Sequence, residues 1–324
     1  MIVVTGGAGM IGSRIISKLN SQGISNILVV DDLINGHKMR NLAGLNIIDY
    51  VDKDDFVDRI GDPEFYGKIT GVFHKGACSA TTEWDGQFLM RNNYEYSKRL
   101  LWWCEKMSTP FIYASSASVY GNSIKNFEEE LANEYPINMY AYSKWQFDQY
   151  VRKHQSMITT KVVGLRYFNV YGPGESQKGN MASTIWHFAN QINNDGVARV
   201  FGGSHGYGNG KHSRDFVHVD DCAKVNLWAL NDCHQNGIYN VGVGSACSFN
   251  DVVESVNHWF KKNKNVIAKV DYVSMPEKLI KSYQSFTQAN IGALRGAGYE
   301  GEFLEIDEGV PSYLDWLDKH GQFE

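Results

Sequence analysis

The first twelve residues leave this chain little freedom. A β-branched run, Ile2-Val3-Val4-Thr5, passes straight into TGGAGMIG (5–12), with glycines at 6, 7, 9 and 12. A strand that enters a helix through a turn almost without side chains must bring bare backbone against something. The helix beyond it presents unpaired N–H groups at its first turn. A diphosphate satisfies both conditions, because the missing β-carbons make room for it and the amides meet its charge. The spacing is G-x-x-G-x-x-G rather than G-x-G-x-x-G, so the context has to carry the reading. Ile11, Ile15, Ile16 and Leu19 recur at helical spacing after the turn, and ILVVDD (27–32) closes a second strand on Asp31 and Asp32. An acid about 20 residues beyond such a turn is placed to meet a ribose hydroxyl.

The alternation of strand and helix continues. NIIDYV (46–51), GVFHKGA (71–77), FIYASSA (111–117) and KVVGLRYFNVYG (161–172) are further strand candidates. Several are apolar throughout, as strands covered on both faces are. The expected fold is α/β, a Rossmann-type doubly wound parallel sheet with a smaller C-terminal α/β substrate lobe. After about residue 168 the rhythm breaks into GPGESQKGN and GGSHGYGNGKHS, which read as loops. DFVHVDD (215–221) and GIYNVGVG (237–244) then look like strands again. The domains are therefore expected to be discontinuous. Residues 1–167 form the dinucleotide-binding part, regained at about 215–243, and 168–214 with 244–324 form the substrate lobe.

Composition narrows the partners. A chain of 324 residues with 43% hydrophobic and 21% charged residues has ample material for a core, and its formal charge of -5 carries no basic block. Nucleic acid and membrane surfaces are poor partners for it; small molecules are better ones. Cys78, Cys104, Cys222, Cys233 and Cys247 lack C-x-x-C spacing and read as free thiols, and His205, His212 and His218 have no acid or thiol in metal-binding register. No metal is expected. No apolar run reaches membrane-spanning length, and the N-terminus enters a strand at once, so a cytoplasmic protein is expected.

Two further stretches carry chemistry, YASSASVYG (113–121) and YAYSK (140–144). Tyr140 and Lys144, four apart, share one face of a helix. Positive charge beside a phenol favours phenolate, which would make Tyr140 a usable base. Tyr142 points elsewhere. Ser116 closes the serine strand and can bond the same substrate oxygen, with Ser115 and Ser118 as competitors. The choice of dinucleotide stays open. Asp31 and Asp32 favour a free 2′-hydroxyl, whereas Lys38 and Lys53 can offset repulsion of a 2′-phosphate.

Through TGGAGMIG, SSASVYG, Tyr140-x-x-x-Lys144, RYFNVYGP (166–173) and RDFVHVDD (214–221), the chain resembles the extended short-chain dehydrogenase/reductase superfamily of sugar-nucleotide epimerases and dehydratases. HKGACSATTEWDG (74–86), NNYEYSK (92–98), QKGNMAS (177–183) and YQSFTQAN (283–290) are similar to its ADP-glycero-manno-heptose 6-epimerase branch, which serves lipopolysaccharide inner-core synthesis. The resemblance implies NADP held by Gly6, Gly9, Met10, Ile11, Gly12, Asp31, Asp32, Lys38, Lys53, the backbone of Lys75, Gly76, Ala77, Cys78 and Ser79, and Asn92, Lys144, Val170 and Lys178. It implies substrate contacts from Asn169, Asn180, His187, Phe201, Gly202, Gly203, Ser204, Arg214 and Tyr283. It also implies a homo-oligomer, a pentamer in the family. Lys75 replaces an acid of related sequences, and HGYGNGKHS (205–213) is longer than the family's loop.

A carbinol C–H with no neighbouring carbonyl is not acidic, so inversion there requires hydride to leave and return. Two opposed faces call for two acid/base groups. Tyr140 is one, and the resemblance supplies Lys178 as the other. From its residues alone, Lys178 reads as a surface or phosphate-binding lysine. Arg214 fits a diphosphate clamp, with an ion pair to Asp215 or Asp220 as the structural alternative. A 4,6-dehydratase needs a carboxylate pair after the serine strand, where this chain has Ala117 and Ser118. A non-catalytic dinucleotide sensor would have no use for Tyr140, Lys144 and Ser116 together.

Overall fold

The computed structural model describes residues 1–60, 68–125, 127–277 and 283–323. Seven parallel strands form the large sheet: β1 (Ile2–Thr5), β2 (Ile27–Asp31), β3 (Asp49–Asp52), β4 (Gly71–His74), β5 (Phe111–Ser116), β6 (Val162–Tyr167) and β10 (Gly237–Val241). Their spatial order is β10-β6-β5-β4-β1-β2-β3. The chain winds outward from β1 in both directions, so β1 and β4 part at a topological switch point, where open α/β sheets bind ligands.

Helices cover both faces. On one, α1 (Met10–Ser21) and α6 (Val219–Asn231) bury Ile15, Ile16, Leu19, Cys222, Val225 and Leu227 against the strands. On the other lie α2 (Lys53–Arg59), α3 (Tyr96–Lys106) and α4 (Met139–Lys153), with Phe56, Leu100, Leu101, Cys104 and Phe147 in the core. Burial on both faces explains why β1, β2, β4 and, apart from Arg166, β6 read as near-continuous apolar runs.

The smaller lobe joins β7 (Asn169–Tyr171), β9 (Ser213–His218) and β11 (Ala246–Ser248) in one sheet, and β8 (Val197–Phe201) with β12 (Lys269–Val273) in another. Helices α5 (Thr184–Asp195), α7 (Phe249–Lys264) and α8 (Ile306–Lys319) pack a separate core around Trp186, Phe188, Trp259, Phe260 and Tyr313. Ser248 and Asp251 close a capping box at the start of α7, satisfying amides that would otherwise be unpaired.

Three strand boundaries differ from the sequence reading. KVVGLRYFNVYG is two strands in two sheets, broken at Phe168, whose N–H turns to the Val241 carbonyl at 3.0 Å. Residues Ser213–His218 join the small sheet, and the chain re-enters the large one only through α6 and β10. The third strand starts at Asp49 rather than Asn46, because Ile47 packs against the α1-side core before the ladder begins.

Ile15 is fully buried between α1 and the sheet. Replacing it with alanine should lower the free energy of unfolding by about 2–5 kcal/mol, read from urea denaturation of the variant beside the wild type.

Candidate active site

The glycine turn is built by contact with the end of β4. Gly6 has φ +66°, and a β-carbon there would lie 2.5 Å from the Gly76 nitrogen. A β-carbon on Gly12 would run into the Gly6 carbonyl, so the first turn of α1 needs glycine to pass beneath the loop. Gly9 caps α1 without a side chain, and the first turn holds no acid. Helix amides that are neither capped by a side chain nor faced by a carboxylate are what a diphosphate needs, so the residues present fit a dinucleotide.

The ribose end is an ion cluster. The Asp31 carboxylate accepts the Ala8 amide at 2.9 Å and the Asp32 amide at 2.8 Å. Lys38 Nζ reaches Asp31 at 3.0 Å and Asp32 at 2.8 Å. Burial opposes the Lys38 charge, but the two carboxylates prevail and hold the ammonium above the ordinary lysine value. Asn41 Nδ2 donates to the Ala8 and Gly174 carbonyls, both at 3.0 Å, tying the glycine turn to the loop that carries Lys178. Lys53 Nζ bonds Asn92 Oδ1 at 3.2 Å, so these two expected residues meet.

The segment 75–79 is fixed from below and from the side. Lys75 and Gly76 donate their amides to Thr5, and Asn93 clamps both the N–H and the carbonyl of Cys78 at 2.9 Å. Asn93 can do so because Met90–Glu95 is a π-helical turn that redirects it inward. Lys75 Nζ is buried with no hydrogen-bond partner among the described residues, 5.6 Å from the Tyr167 ring centre.

At the end of β5, Tyr140 in the first turn of α4 hydrogen-bonds the Ser116 hydroxyl. Lys144, one turn on, donates to the Ala114 carbonyl at 2.8 Å. Burial lowers the Lys144 ammonium to about 8. The spacing predicts that Lys144 favours the Tyr140 phenolate; in the structure burial dominates instead and pushes the phenol up, with only the Ser116 bond opposing it. The serines separate by partner. Ser115 is buried and donates to Asp148 at 2.8 Å, while Ser118 Oγ donates to Ser116 Oγ at 2.9 Å. Tyr142 is exposed and lies beside Trp145.

Lys178 is half-buried in the short helical turn Ser176–Met181, with Asn180 exposed next to it. The buried Glu175 carboxylate organises this loop, accepting the Gly172 amide at 3.1 Å and the Ser183 hydroxyl at 2.8 Å. Thr81 Oγ1 meets Met181 Sδ at 3.9 Å, which sets the loop against the segment following β4.

On the substrate side, Arg214 is buried with its guanidinium 4.9 Å from the Tyr283 ring centre. Neither expected acid pairs with it. Asp215 is occupied by the amides of Val243, Gly244 and Ala289, and Asp220 by Arg14 at 2.6 Å. Phe201 packs edge-on against Tyr283, and Ser204 Oγ bonds His212 Nε2 at 2.9 Å, with Gly202 and Gly203 between them. The structure thus gathers Phe201, Ser204, Arg214 and Tyr283. Asn169 meets Thr287, His187 lies against Trp186, and Val170 is half-buried on β7.

A model of the NAD dependent epimerase/dehydratase family matches residues 2–242. The chain belongs to this family. It is 50% identical over 316 residues to an ADP-L-glycero-D-manno-heptose-6-epimerase of Alkalilimnicola ehrlichii, covering 97% of each chain. The crystal structure of the Helicobacter pylori ADP-L-glycero-D-manno-heptose-6-epimerase matches with TM-score 0.82 at 29% identity, over 98% of this chain and 96% of that one. The Thermus thermophilus UDP-glucose 4-epimerase in complex with NAD matches with TM-score 0.79 at 25% identity, over 97% of each. As a member of this epimerase family, the chain takes a nicotinamide dinucleotide as cofactor.

The positioning roles of Asn41, Asn93, Asp148 and Arg166 were not legible in the sequence because their partners are distant in the chain, whereas Glu175 was missed although its partners Gly172 and Ser183 are local. Arg166 offered the one visible signal, a charge inside an otherwise apolar strand. A test of the turn follows from its geometry. Gly6→Ala should abolish retention of bound dinucleotide in the epimerase, read as loss of nicotinamide absorbance in the purified protein, because the new β-carbon displaces Gly76.

Proposed function

We propose that this epimerase interconverts ADP-D-glycero-D-manno-heptose and ADP-L-glycero-D-manno-heptose by inverting C6″ through a transient ketone. The half-buried Tyr140–Ser116 pair beside Lys144, at the end of β5, carries the reading. A bound oxidised dinucleotide supplies a hydride acceptor that can give the hydride back. Tyr140 removes the hydroxyl proton on one face, with Ser116 bonded to the same oxygen. Lys144 holds its proton near the phenol and offsets the phenolate charge. Lys178, on the opposing loop, serves the other face. Arg214, a buried guanidinium with no acid against it among the described residues, clamps the diphosphate through its fork of donors. The second reading, another nucleotide-sugar epimerase or dehydratase of the same family, is separated from the first by assaying a panel of nucleotide sugars.

Tyr140→Phe and Lys178→Met should each cut interconversion, followed by NMR, by at least about a hundredfold while dinucleotide stays bound. Full activity in either variant would remove the two-base assignment. In D₂O the product should carry no solvent deuterium at C6″; incorporation there would exclude hydride return.

NADP is the dinucleotide we propose. Lys38 ties up both carboxylates that would repel a 2′-phosphate. Lys38→Ala should therefore shift the NADP-to-NAD affinity ratio toward NAD by about tenfold, measured by fluorescence titration of stripped protein. An unchanged ratio would assign the preference elsewhere. By resemblance we also propose a homo-oligomer working in the cytoplasm on lipopolysaccharide heptose; sedimentation equilibrium tests the assembly.

A further inference from the structure

Beneath the reacting pair lies a buried carboxylate that the reaction itself does not use. Asp148 is fully buried, one turn beyond Lys144 on the same face of α4. Its Oδ1 accepts the Tyr113 hydroxyl at 3.0 Å, and its Oδ2 accepts the Ser115 hydroxyl at 2.8 Å. Those two residues flank Ala114, whose carbonyl receives Lys144. Three successive residues of β5 are therefore held by two side chains of α4, and Ser116 is the next residue along. Space for this grip is cut into the neighbouring strand. Gly164 stands opposite Tyr113 in the ladder, and a β-carbon there would lie 2.5 Å from the Tyr113 ring.

The charge around Asp148 is balanced with care. Arg166, opposite Ser115 and fully buried, reaches Asp148 Oδ2 at 2.9 Å through Nε and at 2.8 Å through Nη2. Arg166 also bonds Glu134 and the Tyr120 hydroxyl, and Arg152 with Gln149 completes the shell of Glu134. Two arginines pair with two acids here, and a third acid, Glu129, also feels Arg166, though burial pushes its carboxyl up toward the neutral form. The remaining titratable neighbours of Lys144 are Tyr140 one turn before it, whose phenol burial pushes up, Cys78, which favours the ammonium, and His74 and Lys75 on the β4 side. Burial drives both His74 and Lys75 toward their neutral forms. Asp148 is the carboxylate that favours the Lys144 charge, ahead of Cys78.

We propose that Asp148 is a positioning residue for the epimerisation, locking β5 against α4 so that Ser116 meets Tyr140, and supplying the charge that keeps Lys144 protonated. The first role is mechanical and runs through Tyr113 and Ser115. The second is electrostatic: without the carboxylate, Arg166 and Arg152 keep only Glu134 as an ion-pair partner, and their surplus charge drives the proton off Lys144. This rests on the functional reading above only for the name of the reaction, since the proton on Lys144 can be followed directly.

The tests are a pH profile of kcat and an NMR titration of ¹³C-labelled lysine, on cofactor-loaded protein. The Lys144 inflection, expected at about 8 in the wild type, should fall by about one pH unit in Asp148→Asn. The alkaline limb of kcat should move with it, and Asp148→Glu should restore both. A wild-type inflection in Asp148→Asn overturns the electrostatic role. If that variant does not fold, Tyr113→Phe/Ser115→Ala, which keeps the Arg166 pair, decides. It should lower kcat about tenfold or more at unchanged KM with the limb in place, and wild-type kcat would overturn the mechanical role. Failure of the heptose assay in the wild type itself would strike the assigned substrate and leave the NMR shift to judge Asp148.

Discussion

Backbone against backbone, at Gly6 and Gly76, is the contact on which the site depends. Two parallel strands that part at a switch point leave a crevice above their ends, but its depth is set by what lines it. Here no β-carbon stands in the way, and the turn can fold over while the amides of α1 point outward. The same approach fixes the position of 75–79, since Thr5 accepts amides from Lys75 and Gly76. Substitution at the turn therefore reaches the far side of the crevice as well as the near one.

Much of this was readable from short patterns. The strand–turn–helix, the acids closing β2 and the Tyr140–Lys144 pair depend on neighbours within a few residues, and local chemistry in sequence maps onto local geometry. What the pattern could not show were partners far along the chain. Asn41 meets Gly174, Asp148 meets Arg166, and Asn93 meets Cys78 only after the sheet has assembled. Boundaries failed for a related reason. KVVGLRYFNVYG looks like one strand because both halves are apolar, and nothing local marks Phe168 as the point where the chain turns to Val241 and changes sheets. The charge state of Tyr140 is another such case. Helical spacing puts Lys144 on its face, but the ammonium is spent on the Ala114 carbonyl, and the surrounding burial decides the direction.

Buried charge is used here in two different ways. Arg166 is satisfied on every side, with Asp148, Glu134 and Tyr120 filling its donors. Such an ion cluster contributes little net stability against a well-packed apolar alternative, but removing one member strands the others and costs several kcal/mol, about 3–5. That asymmetry makes it a rigid frame. Arg214 is the opposite case, a buried guanidinium leaning on the Tyr283 ring with no carboxylate among its described partners. A charge kept in that state is poised for an anion from outside, because the ligand supplies what the fold withholds.

These two arginines mark a division between the lobes that follows from chemistry. The oxidising step tolerates little movement, since hydride transfer and proton removal must be aligned at one carbon, and the frame beneath Tyr140 and Lys144 is accordingly rigid and internally paired. Inversion also demands that an intermediate turn over between two opposed groups, so the surface facing that frame cannot be equally locked. The loop with Lys178 meets the requirement in an intermediate way. Glu175 pins its base, Asn41 ties its start to the glycine turn, and Lys178 itself remains half-exposed on a short turn of helix. In the reaction we propose, holding the nucleotide end at Arg214 while the sugar end rotates would let one pocket present both faces of the same carbon to a single hydride carrier.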